Sequence, residues 1–319
     1  MINETRFVSD ELKANVLSAM EDLSYQPNLI ARSLRKKKTN SIGLIVSDIV
    51  NPFFSEIAWS IEYFSFIEKY SLILCSTNGN EEKEIFYINQ LSEWQVDGII
   101  LISPQISTSY LKILEDRNIP VVLVDNESPG CDVDVIRVDN YLGGKIATEH
   151  LVSLGHKKIA CITGPFTGNP SYDRVRGYRD GLKKHGIEVD EDLIIAGNFD
   201  VISGVQSADL LLEKGGRPTA IFACNDLLAI GVVHSAAAHK IRVPQDLSVV
   251  GFDDITLARY IVPPLTTVKQ PMREIGEQAL ECMTEKIKNP NKACRTITLN
   301  VRLEERQSTQ MIKKKAKVD

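Results

Sequence analysis

The stretch Ile42-Gly43-Leu44-Ile45-Val46 indicates the fold class of this chain, because it has no polar residue and is followed by a predicted helix and a second apolar run. A run without polar residues, rather than an alternating one, is typical of a strand buried on both faces. Residues 54–69 then carry Ile57 and Ile61 at helical spacing, and a second apolar run, Leu72-Ile73-Leu74-Cys75, comes next. A buried strand, an amphipathic helix and another buried strand predict a parallel β-α-β unit.

The same alternation continues along the chain in two successive series. The further predicted strands are residues 98–102, 121–124, 159–162, 193–196, 220–223 and 247–251, and the further predicted helices are residues 81–95, 143–154, 173–185, 203–213 and 226–239. Two such series predict an α/β protein with two similar doubly wound parallel-sheet lobes and a cleft between them. In such sheets ligands bind beyond the carboxyl ends of the strands, so the functional residues are expected there.

Upstream of the first strand lies a cationic segment, Arg32-Ser33-Leu34-Arg35-Lys36-Lys37-Lys38, on a chain that is acidic overall. The whole sequence has 37 Lys and Arg against 42 Asp and Glu, and a net charge of −5. This local reversal of charge suits a phosphate backbone, and a Leu among cations has the composition of a minor-groove wedge. A solvated linker with a run of charge is the alternative. Residues 9–23 predict an amphipathic helix that cannot bury its own apolar stripe.

Length and composition exclude several classes of protein. The 319 residues, 43% of them hydrophobic, are enough for two separate cores. No run approaches about 18 apolar residues, and residues 1–9 lack the pattern of a signal peptide, so a cytoplasmic protein without a membrane segment is expected. The cysteines show no C-x-x-C spacing and are expected to be small core residues without disulfide or metal roles. They are Cys75, Cys131, Cys161, Cys224, Cys282 and Cys294.

Sequence motifs for catalysis are absent. The chain has no phosphate-binding loop, no G-x-G-x-x-G after the first strand, no G-x-S-x-G and no H-E-x-x-H. No enzyme activity, cofactor or metal site is therefore expected. Asp253 and Asp254 are paired carboxylates, but neighbours on an extended segment point in opposite directions, so one of them is expected to face a ligand.

The residues at the predicted strand ends suit a polyol. Flat apolar faces for sugar C–H surfaces and planar hydrogen-bonding groups for hydroxyls occur together there. The aromatic residues are Phe53, Phe54 and Phe199, and the polar residues are Asp125, Arg174, Asn225, Asp253 and Gln270. Each also has a structural alternative: Asp125 as a helix cap, Arg174 as the partner of a surface Glu, Phe54 as a core residue.

Short motifs along residues 8–306 resemble those of the LacI/GalR family of transcription regulators. They include Tyr25-x-Pro27-Asn28, Ala31-Arg32-Ser33-Leu34, Asn51-Pro52-Phe53-Phe54, Val96-Asp97-Gly98, Asp139-Asn140, Gly155-His156-Lys157-Lys158-Ile159, Arg174-x-x-Gly177-Tyr178, Asn225-Asp226, Gly251-Phe252-Asp253-Asp254 and Leu265-Thr266-Thr267-Val268-x-Gln270-Pro271. The resemblance implies a type I periplasmic-binding-protein-like core that binds a small-molecule effector, and the positions at its sugar site are most similar to those of ribose repressors.

The effector-binding positions implied by the resemblance are Asn51, Phe53, Phe54, Asp125, Arg174, Phe199, Asn225, Asp253 and Gln270. One position departs from the ribose pattern, because Asn126 stands where the family has Arg. An Asn cannot replace the bidentate donor of an Arg, so a monosaccharide related to ribose is also compatible with this set.

The resemblance also implies a homodimeric repressor that binds operator DNA through a hinge helix. Its DNA-binding residues are Asn28, Ala31, Arg32, Leu34, Arg35 and Lys36. Met1 aligns just after the helix that reads the major groove in the family, so the headpiece is expected to be incomplete. A sugar-binding module without specific DNA binding is therefore the alternative function. A periplasmic receptor has the same core but needs a signal peptide.

The resemblance divides the chain into five segments. They are residues 1–27 as a headpiece remnant, 28–40 as hinge helix and linker, 41–163 with 270–290 as the N-terminal lobe, 164–269 with 291–308 as the C-terminal lobe, and 309–319 as a basic tail.

Overall fold

The computed structural model describes residues 9–23, 38–103, 108–125, 132–166, 169–213 and 217–312. The chain divides into two compact units, Met1–Thr39 and Asn40–Asp319. The described part of the first unit contains helix α1, Asp10–Asp22, which confirms the helix predicted there and buries none of its residues.

The second unit is built from strands that alternate with helices. The strands are β1 Ser41–Val46, β2 Ser71–Ser76, β3 Gly98–Ile102, β4 Val121–Val124, β5 Asp134–Val138, β6 Ile159–Thr163, β7 Ile194–Ala196, β8 Ala220–Ala223, β9 Ser248–Asp253, β10 Thr266–Lys269, β11 Thr296–Leu299 and β12 Arg302–Glu304. The helices are α2 Pro52–Ile67, α3 Glu81–Glu93, α4 Thr108–Asp116, α5 Asn140–Ser153, α6 Asn169–Lys184, α7 Val201–Glu213, α8 Asp226–Ala238 and α9 Met272–Lys288, with 3-10 helices at Glu191–Leu193 and Thr256–Arg259.

The strands form two sheets of six, in the orders β11-β5-β4-β3-β1-β2 and β12-β10-β9-β8-β6-β7. Neighbouring strands run parallel, apart from the antiparallel pair β10 and β12. Every residue of β3, β4 and β8 is buried, as continuous apolar runs predict for sheets covered on both faces. The predicted fold class, two doubly wound parallel-sheet lobes, is confirmed. We call the lobe with β1 the first lobe and the lobe with β6 the second lobe.

The membership of the sheets differs from the expected lobe boundaries at three elements. The boundaries 41–163 and 291–308 assign α5 and β6 to the first lobe and β11 to the second. In the structure β6 lies in the second sheet, α5 packs on that sheet, and β11 pairs with β5 of the first. The chain crosses to the second lobe after β5, returns to the first lobe between β10 and α9, and crosses to the second lobe again between β11 and β12.

Several elements escaped the sequence pattern. Strand β5 was not predicted because Asp134 and Arg137 interrupt its apolar run, and β11 and β12 are short and partly polar. Helix α9 is amphipathic and packs against α2 and against β4 of the first sheet. A continuous apolar core extends through both lobes, and a smaller cluster lies on the other face of the first sheet.

The cysteines that the structure describes are free thiols, four of them buried and Cys294 partly exposed; Cys131 lies outside the described residues. Within the described ranges, no cluster of three or more His, Cys, Asp and Glu side chains is arranged to hold a metal ion. None of the described helices combines the length and the apolar character needed to cross a membrane.

Candidate functional site

The predicted effector residues lie where strands of both sheets end. Asp125 follows β4, Asp253 ends β9, Asn225 precedes α8 after β8, and Gln270 follows β10. Asn51, Phe53 and Phe54 lie at the start of α2, Phe199 lies between β7 and α7, and Arg174 projects from α6. The carboxyl ends of parallel strands therefore bring residues from both lobes to one cleft.

Arg174 is a buried cation with several partners. Its side chain is almost inaccessible, its Nε donates to Asn140 Oδ1 at 2.8 Å, and its Nη1 donates to the carbonyl oxygen of Cys224 at 2.6 Å. Nη1 also lies 3.8 Å from Asp253 Oδ1, and the guanidinium carbon lies 3.7 Å from the centroid of the Phe252 ring. The alternative of a surface partner is wrong, because Arg174 is paired within the interior. Such burial is tolerated only when the cation is paired and hydrogen-bonded.

Asn140 connects Arg174 to the first lobe. Its Oδ1 accepts from Arg174, and its Nδ2 donates to Asp125 Oδ1 at 3.4 Å. Burial raises the pKa of Asp125 above its usual range, against the opposing effects of Arg174 and of Asn140. Asn140 therefore orients a carboxylate from one lobe and a guanidinium from the other.

Asp253 and Asp254 face different surroundings, as expected for adjacent residues. Asp253 Oδ1 accepts from Gln270 Nε2 at 2.7 Å, whereas Asp254 accepts from Arg306 and lies 3.5 Å from Lys269 Nζ. Burial raises the pKa of Asp253 to about 7, although Arg174 and Gln270 favour the carboxylate. The Oε1 of Gln270 is buried without a hydrogen-bond partner. A buried acceptor of this kind suits a donor from a bound molecule.

The two asparagines of the set also cap helices. Asn51 Oδ1 accepts from the backbone N–H of Phe53 at the start of α2, and Asn225 Oδ1 accepts from that of Leu228 at the start of α8. Asn225 Nδ2 donates to the carbonyl oxygen of Phe199 at 3.0 Å. Their orientation is therefore held by the backbone, as a rigid recognition site requires.

The aromatic residues of the set are unequally buried. A purely structural role in the core was the alternative for Phe54, but Phe54 is half-buried. It is Phe53 that belongs to the core, with 5% of its surface exposed. The two rings meet edge to face, with centroids 5.1 Å apart. Phe199 lies with its ring centroid 6.0 Å from the Arg174 guanidinium.

Strained backbone coincides with this cleft. Asp125, Phe199 and Asp253 have positive φ angles of 58°, 59° and 116°, in a region that residues with a side chain rarely adopt. Each such residue costs on the order of 1–3 kcal/mol, and such strain clusters at functional sites. Positive φ angles also occur in loops away from the cleft, so these three are consistent with a functional site without locating it.

The sequence pattern missed two residues of the network, Asn140 and Phe252, as effector-site residues. Asn140 follows β5, a strand that was not predicted because of its polar residues, and Phe252 lies on β9 just before Asp253.

A cavity of about 300 Å³ opens beside Asp125 and Asn140. Its volume is at the lower end of the range for small-molecule sites. The predicted DNA-binding residues, Asn28, Ala31, Arg32, Leu34, Arg35 and Lys36, and the departing residue Asn126 lie outside the described residues.

Comparison with known proteins finds the same architecture. A family model of the periplasmic binding protein-like domain matches residues 148–309. The HTH-type transcriptional repressor PurR of Vibrio atlanticus is 38% identical over 314 residues, which cover 98% of this chain and 94% of that protein. The ribose operon repressor of Escherichia coli K12 is 36% identical over 309 residues, which cover 97% and 94%.

Solved structures agree with the sequence relatives. A LacI family transcriptional regulator from Enterococcus faecium with bound ribose has a TM-score of 0.79 and 32% identity, covering 86% of this chain and 100% of that one. The lac repressor dimer bound to operator and the anti-inducer ONPF has a TM-score of 0.86 and 27% identity, covering 97% of this chain and 93% of that one.

Proposed function

Because the chain belongs to the LacI family of transcription regulators, we propose that its cleft binds ribose or a closely related monosaccharide that controls binding to operator DNA. The relatives named above are repressors, and this chain is a transcription regulator rather than an enzyme. The effector and its effect on DNA binding are the parts that we propose.

The observation that carries the proposal is the buried polar network around Arg174. Arg174 pairs with Asn140 and Asp253. Asn140 in turn donates a hydrogen bond to Asp125, Asp253 accepts one from Gln270, and the free Oε1 of Gln270 offers a further acceptor. Neutral sugars present several hydroxyl groups, each both donor and acceptor, which such a set can satisfy. The partly exposed ring of Phe54 offers an apolar face for the C–H surface. The ribose operon repressor and the ribose-bound structure support ribose within this class.

We further propose that the protein acts as a homodimer through an aromatic face of the first lobe. Trp59 and Phe66 on α2 are 66% and 76% exposed, and Tyr63 stacks against Trp59 with ring centroids 6.2 Å apart. Strand β2 lies at the edge of the first sheet, where Leu74 is also exposed. Exposed aromatic residues beside an open sheet edge are typical of an interface. The dimeric lac repressor supports a second copy as the partner.

In the proposed mechanism the sugar binds both lobes and stabilises the closed cleft. Closure moves the first lobes of the dimer against each other, which separates the hinge segments and weakens operator binding. The sugar can shift the equilibrium only by its difference in affinity for the closed and open states.

The experiment that tests the effector is a calorimetric screen of pentoses, hexoses, purines and sugar phosphates against the purified protein. We expect binding of ribose or a related neutral monosaccharide, and displacement from a palindromic operator when that sugar is added. Binding of a purine or a sugar phosphate alone would overturn the assignment. Sugar binding without preference for a specific operator over a scrambled one would favour the sugar-binding module instead.

A further inference from the structure

The 3-10 helix Thr256–Arg259 begins three residues after the candidate effector residue Asp253 and lacks a side-chain cap of its own. Its N-cap position is held by Ile255, whose side chain makes no capping hydrogen bond. The first N–H groups of a helix have no partner within the helix and need one from elsewhere. An apolar residue at the N-cap leaves this need unmet within the second lobe.

The missing acceptor comes from the other lobe. The backbone N–H of Thr256 donates to Oε1 of Glu56, at 2.8 Å and across 200 residues of sequence. Glu56 lies in the first turns of α2, on the first lobe, and is half-buried. Hydrogen bonds to an ionised acceptor are roughly twice as strong as those between neutral groups.

The segment that donates this hydrogen bond is otherwise anchored in the second lobe. The backbone N–H of Ile255 donates to Asp226 Oδ2 at 2.9 Å, so consecutive N–H groups bind carboxylates of opposite lobes. Glu56 and Thr256 also line one cavity of about 370 Å³, together with Trp59 and Met272. The contact therefore lies where the two lobes face each other, beside the strand end that carries Asp253.

We propose that Glu56 is a positioning residue that stabilises the closed cleft by capping the 3-10 helix of the opposite lobe. Opening the cleft breaks this hydrogen bond and leaves the first N–H of the helix to water. Closing it fixes the segment that follows Asp253, and so fixes the carboxylate that faces the effector. Glu56 binds the backbone of Thr256, which is outside the effector set, so we expect it to act on affinity through the equilibrium between open and closed states.

Two substitutions remove the contact from opposite sides. Glu56→Ala removes the acceptor, whereas Glu56→Gln retains an oxygen at the same place. Thr256→Pro removes the donor alone: Ile255 has φ −60° and ψ 153°, which proline tolerates in the residue before it, and proline is accepted at a first helical position. Glu82→Ala, on the exposed side of α3 in the same lobe, is the control for loss of a carboxylate.

Hydrogen exchange of the ligand-free protein tests the contact without any effector. We expect the amides of residues 257–260 to exchange about tenfold faster in Glu56→Ala and Thr256→Pro than in the wild type, as for loss of one hydrogen bond. Glu56→Gln keeps an acceptor but loses its charge, so it is expected to exchange at a rate between those of Glu56→Ala and the wild type, whereas Glu82→Ala is expected to exchange as the wild type does. Equal exchange in all variants would overturn the capping role.

Calorimetric measurement of ribose affinity tests whether Glu56 stabilises the closed cleft. This second test rests on the proposed function. We expect Glu56→Ala and Thr256→Pro each to weaken binding about tenfold, and the double variant to be no weaker than either, because both remove one shared hydrogen bond. Additive losses, or unchanged affinity in both single variants, would overturn the proposal while leaving the effector assignment intact. A wild type that binds neither ribose nor a related monosaccharide would refute the effector instead, and the exchange experiment would still decide the role of Glu56.

Discussion

Arg174 is the residue at which the contacts of the cleft converge. Its substitutions should affect ribose affinity and the free energy of unfolding to different degrees. Arg174→Ala leaves the buried Oδ1 of Asn140 and the carbonyl oxygen of Cys224 without their donor, so we expect a loss of about 1–3 kcal/mol in the free energy of unfolding. Arg174→Lys keeps the charge but lacks the planar fork that reaches Asn140 and Cys224 together, so stability should partly recover while ribose affinity does not. Urea denaturation and calorimetry measure the two effects. Full ribose affinity in the Lys variant would contradict this role.

Asp253 should make stability depend on pH, with a definite sign. Its pKa is about 7 in the folded protein, above the ordinary value of 3.8 expected when unfolded. The folded state therefore holds a proton that the unfolded state has released, so this contribution is full below pH 3.8 and is lost as the pH rises through 7. Asp253→Asn lacks the titration. We expect the wild type to lose stability relative to this variant between about pH 5 and pH 8.

Urea unfolding of both proteins at the two pH values checks this prediction. Burial also raises the pKa values of Asp125 and Asp226 in both proteins, and this effect cancels in the comparison, whereas the effect of the Asp253 charge on Asp226 is removed together with Asp253. Parallel changes of stability in the two proteins would show that Asp253 does not titrate in this window.

At the scale of elements, the close crossing of α5 and α6 determines how near Arg174 of α6 lies to Asn140 of α5 in the cleft. A Cβ atom built at Gly144 of α5 would lie 2.1 Å from the carbonyl oxygen of Arg174 on α6, and one at Gly177 would lie 2.2 Å from that of Tyr141. Backbone cannot yield as a flexible side chain can, so the helices approach this closely only because both positions lack a side chain.

Gly144→Ala should therefore push α6 and Arg174 away from the cleft. Helix propensity alone would make this change favourable by about 1 kcal/mol, but the clash outweighs it and we expect a net loss of about 1–3 kcal/mol. Ribose affinity should fall with it. Glu149→Ala, which breaks the exposed salt bridge to Lys184 between the same helices, should cost less than about 1 kcal/mol. A stabilised Gly144→Ala protein would refute the close crossing.

At the scale of the whole molecule, the aromatic face of α2 should hold two copies together. Phe66→Glu places a charge in the centre of this face, so we expect the protein to become monomeric while each copy still binds ribose, because the cleft lies within one chain. Tyr172→Glu, at an aromatic residue that is 57% exposed on α6 of the second lobe, is the matched control and should remain dimeric. Analytical ultracentrifugation measures the outcome. A Phe66→Glu dimer would place the interface elsewhere.

Apolar patterning alone was enough to predict the two-lobed architecture. The runs at β1, β3, β4 and β8 are buried on both faces, and this burial leaves a continuous apolar stretch that is recognisable from local sequence. That polar and aromatic residues from both lobes would meet at the strand ends was also predictable, because parallel strands end on one side of a sheet; their role in effector binding stays a prediction.

Only the tertiary structure showed to which lobe β6 and β11 belong. It alone also showed that Asn140 joins Asp125 to Arg174 and that Glu56 caps a helix of the opposite lobe. The spacing of apolar residues along a strand or helix depends on which faces of that element are buried. It can therefore be recognised from the sequence of the element alone. Crossovers between lobes, and a hydrogen bond that spans 200 residues, depend on where the whole chain returns in space, and no local pattern encodes that.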